Sequence, residues 1–92
     1  MIEKRLKTKY GEIDIIACKN KTIVFVEVKT RATVEAGLYS ITPNAKKRII
    51  AAAGIYMARH PKYALYQWRY DIIIVTSLIC CTHLIDAFRP TT

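Results

Sequence analysis

The run Ile23-Val24-Phe25-Val26-Glu27-Val28-Lys29 most constrains what this chain can fold into. It is too short for a core helix and rich in β-branched and aromatic residues, as in a strand buried on both faces with helices over a sheet. Two charges interrupt its end. Side chains alternate along a strand, so Glu27 and Lys29 emerge from one face and Val26 and Val28 from the other. Upstream, Ile13, Ile15 and Ile16 surround Asp14 in a second apolar run. The link Cys18-Lys19-Asn20-Lys21 is polar, and its Asn tolerates the left-handed backbone of a hairpin turn. The two runs are therefore expected to pair antiparallel, with Asp14 and Glu27 about equally far from the turn.

An ionised carboxylate inside such a hairpin costs several kcal/mol or more without a partner. One partner would be a hard divalent cation: carboxylates, a backbone carbonyl and water suit Mg2+ or Mn2+, which polarises a phosphate oxygen and acidifies a bound water. Lys29 could orient or deprotonate that water, or stabilise charge on the phosphate. The other reading is a structural ion pair of Lys29 with Glu27 or Asp14.

Ninety-two residues, 52% of them apolar, allow one small domain over 1–92 with an ample core. Fifteen Lys and Arg against seven Asp and Glu leave a net charge of +8, which favours a polyanionic partner such as nucleic acid. The start Met1-Ile2-Glu3-Lys4-Arg5 has no apolar signal region, and the longest apolar stretch, Ile72 to Cys81, falls well short of the roughly 20 residues of a membrane helix. A cytoplasmic protein away from membranes is expected. Cys18, Cys80 and Cys81 lack the spacing of a zinc site or disulfide framework and read as buried, reduced thiols.

The remaining chain divides simply. Basic residues 2–9 read as an edge strand or arm. A loop from Thr30 to Ser40 precedes Thr42-Pro43, an N-cap with proline at the first helical position, and the helix is expected to end near His60, before Pro61. Its inward stripe is Ile49, Ile50, Ala53, Tyr56 and Met57, with small Ala51, Ala52 and Gly54 allowing close approach to the sheet. Strands near 67–76 and 79–88 complete the layout. Lys46, Lys47 and Arg48 sit in the helix's first turns, where cations oppose the dipole; they are either a phosphate clamp, Lys46 foremost, or a solvated basic turn. Tyr63, Tyr66, Trp68 and Tyr70 read as core or rim packing ahead of a base-stacking platform. Asp71 reads as a strand-entry ion pair or as support for Lys29 or Arg31, and His83 has no evident partner.

Gly11-Glu12-Ile13-Asp14-Ile15-Ile16-Ala17, Phe25-Val26-Glu27-Val28-Lys29-Thr30-Arg31, Thr42-Pro43 with Lys46, Arg69-Tyr70-Asp71 and Asp86-Ala87-Phe88 together resemble the YraN family of bacterial proteins. That family looks like a branch of the restriction-endonuclease-like PD-(D/E)XK nucleases, similar in pattern to archaeal Holliday junction resolvases. The resemblance implies an α/β fold: a mixed central sheet of about five strands with a flanking helix. It implies Asp14 and Glu27 as metal carboxylates, the Val28 carbonyl as a further ligand, Lys29 as the catalytic lysine and Lys46 as a basic helix position near the site. Glu12 and Arg31 match family positions without a settled role. Family members carry a further helix, with an acidic residue, ahead of the first core strand. No counterpart lies in this sequence, which would weaken metal binding and leave one flank of the sheet for a second subunit or other partner.

Two functions are therefore expected. One is a Mg2+- or Mn2+-dependent endonuclease acting on DNA, including structured or branched DNA, through Asp14, Glu27 and Lys29. The other is a nucleic-acid-binding module that keeps the fold and the basic surface, with Lys46, Lys47, Arg48 and Arg31 on phosphates, but cleaves nothing.

Overall fold

The computed structural model describes residues 2–90. Strands β1 (Glu3–Lys7), β2 (Glu12–Lys19) and β3 (Thr22–Thr30) are followed by a short helix α1 (Val34–Tyr39) and a longer α2 (Pro43–Ala58). After a 3-10 turn at Pro61–Tyr63 come β4 (Gln67–Ser77) and β5 (Cys80–Phe88). The strands form one mixed sheet in sequence order, antiparallel except between β3 and β4. A parallel pair needs a crossover of a dozen or more residues, and the segment carrying both helices supplies it. The expected α/β architecture is thus the observed one.

Local chemistry explains the element ends. Asn20 (φ 51°) and Lys21 (φ 59°) close the two-residue β2–β3 turn with both central residues left-handed, the geometry that matches strand twist. The Thr42 hydroxyl accepts the Ala45 N–H at 3.1 Å and Pro43 opens α2, as the sequence predicts. Arg59 caps the other end in a right-handed conformation, one residue ahead of His60.

Both helices lie on one face of the sheet. Ile13, Ile16, Ile23, Phe25 and Tyr70 pack there against Ile49, Ala52, Ala53, Tyr56 and Met57 of α2. A second cluster joins Ile41, Ile72 and Ile74 to Val34 of α1. The aromatics serve this core: Phe25 stacks on Tyr70 at 5.6 Å and meets Trp68 edge-on at 6.0 Å. Tyr70 also stacks on Phe88 at 5.2 Å. Its hydroxyl is buried without a hydrogen-bond partner, and burial raises its pKa.

Asp71 is the one buried charged residue among those described, at 0% exposure. Arg69 grips its carboxylate with two bonds of 2.9 and 2.8 Å, His83 Nε2 lies 2.8 Å from Oδ2, and the Asp86 N–H donates to Oδ1 at 2.9 Å. The β4–β5 register slips between the pairs Tyr70↔Phe88 and Ile72↔Leu84, and Asp86 in that slip has φ 56°. The slip is a bulge that turns the Asp86 amide toward the acid. Burial works against the charge, yet Arg69, the Asp86 amide and His83 together hold Asp71 below its ordinary pKa. The ion-pair reading of Asp71 therefore holds, while His83, expected to lack a partner, has one.

Several local expectations need correction. The segment from Thr30 to Ser40 contains α1, capped by the Thr33 hydroxyl accepting the Ala36 N–H at 3.0 Å. The three cysteines are exposed rather than buried: Cys18 nears a hairpin turn, and Cys80 and Cys81 begin the edge strand β5. Of the small residues of α2, Ala52 reaches the sheet, but Ala51 is exposed and Gly54 faces open space. No helix among the described residues is long and apolar enough to cross a membrane.

Two stability predictions follow from this packing. A Cβ on Gly11 would lie 2.6 Å from the Arg48 carbonyl oxygen, whereas one on Gly54 would meet nothing. In urea titrations Gly11→Ala should lose about 1–3 kcal/mol, while Gly54→Ala should gain up to about 1 kcal/mol through helix propensity. Asp71→Ala should cost about 2–4 kcal/mol, because it strands Arg69, His83 and the Asp86 amide. An acid with a depressed folded pKa stabilises above its unfolded value, so this deficit should narrow as the pH falls below 3.8.

Candidate functional site

Asp14 and Glu27 come together because β2 and β3 pair in register and then part. The ladder runs from Lys19↔Thr22 to Ile15↔Val26, and the next position would set Asp14 opposite Glu27. There the Asp14 Oδ2 accepts the Val28 N–H at 2.8 Å, replacing a backbone partner with a carboxylate. The N–H and C=O of one strand residue point to the same neighbour, so the Val28 carbonyl also faces this opening. β2 stays paired with β1, but Arg5, at the level of Asp14, has φ 56° and interrupts that ladder too.

The two carboxyls face each other across this opening, near enough for Asp14 to raise the pKa of Glu27. Glu27 shares a hydrogen bond with Asp14, and its pKa is pushed up to about 8, first by burial and then by that bond and the Asp14 charge. Lys29 and the Val28 amide pull the other way and are outweighed. The pair is thus an acid-rich, partly dry pocket in need of positive charge. Its donors are hard oxygens: two carboxyls and a strand carbonyl. Mg2+ uses one or two carboxylates and keeps other positions for water and phosphate, so these residues fit Mg2+ or Mn2+. Among the described residues no three His, Cys, Asp or Glu side chains converge on one point.

Glu27 opens onto a cleft of about 430 Å3 between the β1–β2 turn and α2, lined also by Tyr10, Glu12, Ala45 and Arg48. The Thr8 hydroxyl shapes that turn, accepting the Tyr10 and Gly11 amides at 3.2 and 3.1 Å and donating to the Gly11 carbonyl at 2.8 Å. Asp14, with Val28, borders a second hollow carrying Lys4 and Arg5. Those two cations had been read only as part of a basic edge strand; the signal for them is the alignment of β1 with the Asp14 segment.

The basic helix residues separate. Arg48 lines the cleft with Glu27 and Glu12, Lys47 is exposed, and Lys46 turns to another hollow, its Nζ 5.7 Å from the centre of the Phe88 ring. Lys46 is therefore not brought to the carboxyl pair. Arg31, just past β3, donates its backbone N–H to the Val75 carbonyl at 3.1 Å and its guanidinium to the Thr30 carbonyl at 2.8 Å. No acidic residue in the first turn of α2 offsets the positive end of its dipole.

The profile of the uncharacterised protein family UPF0102 matches residues 1–75. A UPF0102 protein of Bradyrhizobium sp. (strain BTAi1) is 42% identical over 92 residues, all of this chain and 68% of its own length. UPF0102 protein RPA0323 of Rhodopseudomonas palustris is 38% identical over 91 residues, 99% of this chain and 70% of its own length. Another R. palustris relative, from strain BisB5, is 43% identical over 88 residues, 96% of this chain and 67% of its own length.

The raised Glu27 acid gives a signed prediction. Its folded pKa lies above the unfolded 4.5, so its contribution to stability is complete below 4.5 and is lost as the pH rises toward about 8. Glu27→Gln keeps a neutral hydrogen-bonding group, so its melting temperature relative to wild type should climb across that window and level off above it. Thermal melts across the pH range would contradict this if the two profiles ran parallel.

Proposed function

This chain belongs to the uncharacterised protein family UPF0102, and from that premise we propose that it is a metal-dependent endonuclease that hydrolyses phosphodiester bonds in DNA, including branched DNA. The observation that carries the reading is the register that sets Asp14 and Glu27 at one level where β2 and β3 part, Asp14 bonded to the Val28 N–H and Lys29 on the same strand face as Glu27. A structural ion pair would join Lys29 to one of these acids, and among the described residues Lys29 makes no salt bridge with either.

In this mechanism Asp14, Glu27 and the Val28 carbonyl would hold Mg2+ or Mn2+, which would polarise a phosphate oxygen and acidify water. Lys29 orients the attacking water and offsets negative charge building on the phosphate. Water adds to phosphorus, one P–O ester bond breaks, and the leaving oxygen takes a proton. Arg48, in the cleft with Glu27, and Arg31, two residues beyond Lys29, would neutralise neighbouring phosphates, with the exposed Lys47 beside Arg48 on α2. Glu12, which lines the Glu27 cleft, would accept a hydrogen bond from water held there.

A non-cleaving nucleic-acid-binding module is the second reading, favoured by the limit of two side-chain carboxyls at the site. Nicking of supercoiled plasmid and of a four-way DNA junction in Mg2+ or Mn2+ separates the two. Wild type should nick, and Asp14→Asn should lose more than about 100-fold, since even outer partners of metal ligands are worth 10–100-fold. If both proteins retard DNA and neither cuts it, the binding module replaces the enzyme.

A further inference from the structure

The β4–β5 hairpin ends in two residues that neither folding nor solubility rewards. Leu78 and Ile79 are 105% and 93% exposed at the turn between Ser77 and Cys80. Turns select Gly, Asn, Asp or Pro for their backbone angles, and neither Leu78 nor Ile79 has a positive φ. The tip is held in shape: the Ser77 hydroxyl accepts the Ile79 N–H at 3.3 Å. A pair of branched apolar side chains is thus presented to solvent on a short support.

Its place in the sheet gives it a partner. β3 and β4 run parallel with Lys29 level with Ile74 and Thr30 level with Val75, so the hairpin tip projects past the same end of the sheet as Glu27, Lys29 and Arg31. From Ile74 to Leu78 is four residues, about 13 Å along the strand, or roughly four base steps of a nucleic acid strand. Arg31 lies between, tied to Val75 through its backbone. The chain's net charge of +8 complements a polyanion rather than a second copy of itself.

We propose that the tip is a wedge: Leu78 and Ile79 enter the base stack of a nucleic acid whose backbone lies at the Asp14–Lys29 site. Apolar side chains of this kind unstack and kink a base step, and flexible pyrimidine–purine steps or branch points resist them least. The wedge selects deformable DNA, while the cations along the same end hold its phosphates. This deepens the endonuclease reading and rests on it.

The test uses a short DNA duplex with 2-aminopurine beside a central TA step, whose fluorescence rises when the base unstacks, in Ca2+ buffer. Wild type should retard the duplex and raise its fluorescence. The Leu78→Ser, Ile79→Ser double variant, altered only at exposed positions and checked by thermal melting, should lose the rise and bind about tenfold more weakly. An unchanged rise in the variant overturns the wedge. So does a variant that binds DNA normally but turns from dimer to monomer in sedimentation, which would make the tip a contact between copies. If wild type retards the duplex in Ca2+ without any rise and nicks DNA in Mg2+, the wedge alone fails; if it does not retard DNA, wedge and endonuclease fall together.

Discussion

The Asp14 carboxylate occupies a place in the sheet that a backbone carbonyl would ordinarily fill. By taking the Val28 N–H at 2.8 Å it satisfies β3 where β2 leaves it, and an opening forms without an orphaned amide. The rest follows from that substitution. β2 and β1 continue together to the Gly11 turn, and Gly11, which has no room for a side chain, lets the turn close on Arg48 and the start of α2. The cleft onto which Glu27 opens is the space those elements enclose. An apolar residue at position 14 would leave Val28 without its partner and Glu27 without the neighbour that raises its pKa.

The fold holds two acids, Asp71 buried and Glu27 half-buried, in contrasting ways. Asp71 has a bidentate guanidinium, an imidazole and a backbone amide, and its charge is favoured despite complete burial. Fully satisfied networks of this kind rigidify a structure. Glu27 has another acid for a neighbour and one lysine nearby, and it keeps its proton up to about pH 8. Under-neutralised carboxyls in a cleft are where binding energy for a cation is stored. The first arrangement ties β5 to β4; the second leaves the β2–β3 opening ready for positive charge. Glu27 and Asp71 lie on the two strands of the parallel pair, one level apart, since Val26 pairs with Asp71 and Glu27 with Ile72.

Much of this was legible in the sequence because it depends on short-range periods. Alternation puts Glu27 and Lys29 on one face, equal spacing from Asn20 sets Asp14 opposite Glu27, and Thr42-Pro43 marks the helix start. What was hidden depends on irregularity. The Asp71–His83 contact needs a register slip at Asp86, and no residue pattern announces a bulge. Helix α1 is six residues long and contains Gly37, too short and too weak in propensity to stand out from a loop. Cysteine is an apolar residue type, but type does not reveal that Cys80 and Cys81 begin an edge strand. Lys46, three residues ahead of Ile49, shares its side of α2, yet helical spacing does not say which part of the sheet that side meets, and Arg48 reaches the cleft instead.

The account turns on whether the paired carboxyls are a cation site. Crystals of the protein soaked in Mn2+ and measured for anomalous scattering answer this without reference to activity. A single peak within ligand distance of Asp14, Glu27 and the Val28 carbonyl, with the two carboxyls turned to share it, is the predicted result. Unmoved carboxyls, and no peak between them at saturating Mn2+, would contradict it.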